Sequence, residues 1–163
     1  MAEAVSLRDP VGRVSSRAPL VWAVGAVVRG LVVAAALVVA TAVLGLFTLP
    51  WWAWPAYAAL VVGYAVLMPT YRYRVHRWES SATAVYTQTG WLSRERRIAP
   101  MSRVQTVDLQ QTAVSRLFRL ANVTVTTASA AGPLRIEGLD RDVAERLVDE
   151  LTRRTEAEPG DAT

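Results

Sequence analysis

Between Gly30 and Met68 the chain carries no charged residue, and this constrains its fold more than any other feature. Gly30–Leu49 is a run of 20 uncharged, mostly apolar residues. At about 1.5 Å of rise per residue, a helix of that length crosses a hydrocarbon core of roughly 30 Å. Trp51–Met68 supplies 18 more, with Pro55 in the first turn, where a helix tolerates proline. The connection Thr48-Leu49-Pro50-Trp51-Trp52-Ala53-Trp54-Pro55 is uncharged and holds three tryptophans, a residue that favours the headgroup boundary. The sequence therefore predicts a transmembrane helical hairpin over residues 20–69, with spans over 30–49 and 51–68. The apolar run is too long for a cleaved leader, and a long segment precedes it, so the first span is expected to be retained.

The rest of the 163-residue chain is polar and rich in arginine. A membrane segment joined to a soluble domain accounts for this division better than one mixed globule, and the length suits about one domain. Residues 1–19 are expected to form a cytoplasmic N-terminal segment, 70–155 a cytoplasmic domain and 156–163 a disordered acidic tail. Arg8, Arg13, Arg17 and Arg29 precede the first span, Arg72, Arg74 and Arg77 follow the second, and the turn has none. The bias of basic residues toward the cytoplasmic side then predicts a multi-pass protein of the cytoplasmic membrane with both termini inside. Leu20–Val28 is expected to be an interfacial lead-in, with Arg29 snorkelling to the phosphates.

Composition narrows the chemistry. There is no cysteine and a single histidine, His76, which removes disulfides, thiolate catalysis and histidine-pair zinc sites. His76 and Glu79 could form an acid–base pair, but a lone histidine in an alternating segment is expected to serve packing or the surface. Ser80, Ser81 and Ser102 lack a nucleophile-elbow context, and no glycine-rich phosphate loop is present. The expectation is a protein that is not an enzyme and uses no cofactor or metal. Net charge is +4. Because the basic residues flank the spans and no recognition helix or stacking motif appears, the expected partner surface is the bilayer and not nucleic acid.

Beyond the hairpin the pattern turns to short β-like runs. Tyr71–Trp78 alternates bulky and basic residues, as a strand with one wet face does. Ala84–Thr89, ended by Gly90, Arg94–Ile98, Val104–Leu109, Val123–Thr127 and Leu134–Ile136 follow, with a short helix expected within Ala113–Leu120. The last element is an amphipathic helix: Asp140 is its candidate N-cap. Val143, Ala144, Leu147, Val148 and Leu151 form one apolar stripe. Asp142–Arg146 and Arg146–Glu150 are spaced as i,i+4 pairs. Short strands followed by one such helix predict an α+β chain: a curved sheet or split β-barrel with the C-terminal amphipathic helix capping one opening.

Several of these segments resemble the bacterial pleckstrin-homology-like (PH-like) membrane proteins of the YdbS-like, DUF304 family. The resemblance rests on two spans, Tyr71-Arg72-Tyr73, Gly90 at a strand end, and the series Ile98-Ala99-Pro100-Met101-Ser102-Arg103-Val104-Gln105-Thr106-Val107. It continues through Gln110-Gln111-Thr112 and Arg116-Leu117-Phe118-Arg119-Leu120, then Ala121-Asn122-Val123-Thr124-Val125-Thr126-Thr127-Ala128. This chain departs from the family pattern in three places. Ala99 stands between the isoleucine and the proline, Arg119 replaces a glycine in the turn, and Ser129 stands where a glycine often follows threonine-alanine. The resemblance implies a PH-like barrel and little chemistry. It also implies a place in a larger membrane complex linked to envelope homeostasis or resistance.

Two groups of residues are the candidate sites. Arg103, Gln105, Gln111 and Arg116 form a candidate interaction or structural motif. The structural alternative expects a buried arginine and glutamine whose hydrogen bonds hold a strand and turn, since buried polar groups need partners. Arg72, Arg74, Arg77, Arg94, Arg96 and Arg97 are candidate contacts to lipid headgroups, or a solvated topology signal. The function expected is a membrane-anchored interaction or assembly module, with a homo-oligomer or another membrane protein as partner. The alternative is a sensor of anionic lipid headgroups.

Overall fold

A computed structural model describes residues 10–90, 94–129 and 132–157. Helix α1 (Ala18–Val38) continues into one π-helical turn (Val39–Val43), and helix α2 spans Ala53–Val75. Both are long and apolar enough to cross a membrane, yet only 6% and 17% of their apolar stretches is buried. A core helix of a soluble protein would be covered on its apolar side. These helices instead expose Leu31, Val32, Leu60 and Leu67, which is favourable when the solvent is lipid. They meet closely at Gly30, where a Cβ would come within 2.6 Å of Val61 Cγ1. Tyr57 donates from its hydroxyl to the Gly30 carbonyl at 2.7 Å. Small residues permit such backbone approach between membrane helices. Trp51 and Trp52, in the connecting turn, are exposed.

The second helix runs further than its apolar stretch suggests. It passes through Pro69 and ends at Val75, so the predicted strand over Tyr71–Trp78 is a helix end followed by a shorter strand, β2 (Arg77–Ser80). Alternation over a few residues is compatible with either state. What decides here is packing, because Val75 is buried and Arg72 on the same helical end reaches Glu137.

Strand β1 (Gly12–Arg13), β2, β3 (Ala84–Gly90) and β4 (Arg94–Pro100) form an antiparallel sheet in that order. A 3-10 turn (Met101–Arg103) leads to the second sheet, ordered β5 (Val104–Gln110), β6 (Leu120–Thr127), β7 (Leu134–Asp140). Between β5 and β6 lies the short helix α3 (Ala113–Leu117), whose N-cap Thr112 accepts from the Ser115 amide at 3.1 Å. The turn after it places Arg119 at φ +56°. Left-handed backbone is uncommon away from glycine, so the arginine takes the shape that glycine would take and the turn survives the substitution. Helix α4 (Arg141–Ala157) closes the described chain. It includes the first residues of the expected tail; residues 158–163 lie outside the described residues. The surface pairs observed on it are Arg141–Glu145 and Glu150–Arg154, not the Asp142–Arg146 and Arg146–Glu150 pairs that spacing suggested.

One core joins both sheets to α4 through Ala144, Leu147 and Leu151. The N-terminal segment and the start of α1 belong to that same core. Val14, Ala18 and Trp22 are buried within it, β1 pairs with β2, and Ser15 donates from its amide to the Gly138 carbonyl at 2.9 Å and from its hydroxyl to Asp140 at 2.8 Å. Gly138, at φ +78°, lets α1 come close: a Cβ there would lie 2.6 Å from that of Ala18. The expected lead-in is therefore tied to the β-domain at Val21 and Trp22, while Leu20, Val24, Val27 and Val28 stay exposed.

Candidate functional site

The end of α2 and the start of α1 meet the β-domain in a compact polar junction. Arg72, one turn before the end of α2, donates to Glu137 of β7 at 2.7 Å. Its guanidinium also sits 4.3 Å from the centre of the Trp22 ring, a cation–π contact. His76, just past the helix, is 1% exposed and lies 5.7 Å from the same indole. Neither of its ring nitrogens meets a hydrogen-bond partner among the described residues. Burial, reinforced by the Arg72 charge and opposed by Glu137, pushes its pKa down from 6.5 to about 4. The histidine is therefore neutral at pH 7 and acts as packing, as its isolation in the sequence suggested. Glu79, its imagined acid–base partner, instead accepts from the Val11 amide at 3.3 Å.

The six headgroup candidates do not form one patch. Arg72 and Arg97 line a cavity of about 410 Å³ together with His76, Thr87, Glu95, Arg135 and Glu137. Two of its arginines are already engaged, since Arg72 holds Glu137 and Arg97 reaches Glu95 at 2.6 Å and the Pro133 carbonyl at 3.2 Å. Arg74, Arg77 and Arg94 line a second cavity of about 460 Å³, with Pro10, Val11, Val75 and Gln88. Arg96 donates to the Gln88 side-chain Oε1 at 3.0 Å, and Gln88 in turn donates from Nε2 to the Val75 backbone carbonyl at 3.2 Å. Arg135 and Glu137 escaped sequence reasoning because only the β6–β7 pairing carries them to the hairpin. Trp22 left a signal: an apolar stretch longer than a span requires.

The four residues of the other motif are also divided. Gln105 is the extra residue of a bulge, since Val104 pairs with Thr127 and Thr106 with Thr126. Arg103 and Gln105 are exposed, which overturns the expectation of a buried hydrogen-bonding pair. Gln111 and Arg116 lie at the far end of β5, about 20 Å away at roughly 3.3 Å per strand residue. Gln111 donates to the Leu120 carbonyl at 2.9 Å and holds the turn, whereas Arg116 is exposed. The strand between these ends, β5, pairs with β6 alone among the described residues. It leaves Thr106, Asp108, Leu109 and Gln110 exposed.

Two apolar helices followed by this α+β arrangement define a membrane protein with a PH-like domain, and the chain belongs to the bacterial PH domain family, which it matches over residues 19–155. It is similar to the UPF0699 transmembrane protein YdbS of Bacillus subtilis (strain 168), with 31% identity over 126 residues that cover 72% of this chain and 76% of that one. No solved structure matches it.

Proposed function

We propose that the protein is a non-enzymatic assembly module, held to the cytoplasmic face of the membrane by a two-span hairpin with both termini inside. In this reading the two sheets make a split barrel and α4 covers one opening. The shared core of Leu147 and Leu151 with both sheets supports that arrangement. The observation that carries the function is the free edge of β5. An edge strand offers unpaired N–H and C=O groups to another chain, and folded proteins ordinarily cover or blunt such edges. Here the bulge at Gln105 and the charges of Arg103, Asp108 and Arg116 would restrict which strand can pair. Leu117, 80% exposed beside the far end, adds apolar area outside the membrane helices. The partner is a second copy or another membrane protein that presents a strand.

Purification of the full chain from membranes in mild detergent, with the mass of the intact complex measured, tests this. The wild type is expected to exceed the mass of one chain. The double variant Arg103→Glu/Arg116→Glu is expected to run as a single, folded chain. An unchanged complex in the double variant defeats the β5 reading. A reporter fused after Thr163 should be active only in its cytoplasmic form, and periplasmic activity would reject the topology.

A further inference from the structure

We propose that the cavity bounded by Arg74, Arg77 and Arg94 is a binding site for a phosphate group, presented at the bilayer surface by an anionic phospholipid. This rests on residues and a readout separate from the β5 edge, so either can fail alone.

The electrostatics come first. Three arginines line one cavity of about 460 Å³, and its lining contains no carboxylate among the described residues. The neighbouring cavity, by contrast, balances its arginines with Glu95 and Glu137. Among the described residues, Arg74, Arg77 and Arg94 make no ion pair. Glu79, the carboxylate on the same strand as Arg77, lies outside the lining and accepts from the Val11 amide. Cross-strand pairing adds to the excess, because Arg13 stands directly opposite Arg77. Like charges in that register repel, and a bound anion would remove the repulsion. Arginine forks suit phosphate oxygens, which they can meet with paired N–H donors.

Depth identifies the source of the phosphate. Helix α2 begins at Ala53, next to the exposed Trp51 and Trp52, residues that mark one membrane interface. At about 1.5 Å per residue, Arg74 lies roughly 32 Å further along the helix, just beyond a hydrocarbon core of about 30 Å. Arg74 therefore emerges at the level of the lipid phosphates, and Arg77 and Arg94 flank it from β2 and β4. The cavity lies against the end of α2, beside Val75, and not between the two sheets, where Arg72 and Arg97 are already engaged. Gln88, also in the lining, has both ends of its amide committed, its Nε2 to the Val75 carbonyl and its Oε1 to Arg96.

The test uses the full chain in nonionic detergent micelles and a fluorescent phosphatidylglycerol. Binding is expected in the wild type and should weaken about 100-fold in Arg74→Gln/Arg77→Gln/Arg94→Gln, given the usual contribution of each basic residue near an anionic surface. The single variant Arg94→Gln, on an exposed strand position, should lose about fivefold and keeps the test decisive if the triple variant does not fold. A control removes the same charge elsewhere, with Arg141→Gln/Arg146→Gln/Arg153→Gln on the exposed side of α4. Retained binding in the control supports a built site, and equal loss in both triple variants overturns it. Wild-type affinity in Arg94→Gln alone, or in the cavity triple variant, also overturns it. Competition by inorganic phosphate separates the sources. Weak competition supports the lipid, and full displacement by phosphate alone overturns the lipid assignment.

Discussion

The two halves of α1 are built from the same kinds of residue and treat them in opposite ways. Ala18 and Trp22 are buried in the core of the β-domain and Ala26 is buried too, whereas Leu31 and Val32, further along the helix, are each 64% exposed. Nothing in the apolarity of the helix marks this change. In the first half one face of the helix is covered by protein, although Leu20, Val24, Val27 and Val28 stay exposed, and in the second the covering medium is lipid, in which a leucine side chain is as well solvated as in a core. A long apolar run therefore encodes the need for an apolar environment without stating which kind, and truncating a side chain should cost very different amounts in the two halves.

The largest effect should come from putting a charge where protein provides the cover. Leu147 is 3% exposed inside the shared core, and Leu147→Asp would bury an unpaired carboxylate there, at a cost of several kcal/mol, about the whole stability of a small domain. Loss of cooperative melting of the full chain in detergent is expected; an unchanged transition would show that α4 is not part of the core. Next is Trp22→Ala, which leaves a cavity between α1 and the sheets and removes the ring beneath Arg72. A large aromatic deletion of that kind costs about 3–5 kcal/mol. A change under about 1 kcal/mol, within the range of ordinary surface substitutions, would mean that the lead-in merely rests on the domain.

A smaller and pH-dependent effect belongs to His76. It faces Arg72 of α2, Glu137 of β7 and Trp22 of α1, with Glu95, Arg97 and Arg135 around the same cavity. Its folded pKa of about 4 lies below the unfolded value of 6.5, so the unfolded chain binds the proton more readily. Stability from this residue is fully present above pH 6.5 and is lost as pH falls from 6.5 toward about 4. At 1.36 kcal/mol per unit, the loss is on the order of 3 kcal/mol. Melting curves across that range should show wild type losing stability relative to His76→Phe as pH falls, and parallel curves would contradict the burial of the imidazole. The smallest effect should be at the lipid-facing end of α1. Leu31→Ala, far from the domain, is expected to shift stability by less than about 0.5 kcal/mol, as exposed substitutions do. A cost comparable with that of Trp22→Ala would mean that Leu31 packs on protein, and the contrast between the halves would collapse.

Much of the domain was legible because its signals are local. The strands at Ala84–Gly90, Val104–Gln110 and Leu120–Thr127 follow runs of β-branched residues. Leu147 and Leu151 recur at helical spacing and are buried as that spacing requires. The candidate sites were less legible. Arginines close in sequence point to different cavities: Arg72 and Arg74 lie two residues apart on a helix and therefore on different sides of it. Arg103 and Gln105 read as a buried pair because their segment is distinctive, yet Arg103 ends a 3-10 turn, Gln105 sits in a bulge, and both are exposed.

What the sequence by itself determined is the presence of a membrane hairpin and of an α+β domain after it. Uncharged length and hydrophobic period follow from the composition of each segment, independent of its neighbours. The tertiary structure alone decided where the hairpin ends and the domain begins. Ser15, Ala18 and Trp22 were recruited to the core by Gly138 and Asp140, more than a hundred residues away. The same pairing of distant strands carried Glu137 to Arg72 and the Pro133 carbonyl to Arg97, and left Arg74, Arg77 and Arg94 around a different cavity. Such contacts depend on chain ends and strand registers that meet only in the fold, and no local pattern of residues can specify them.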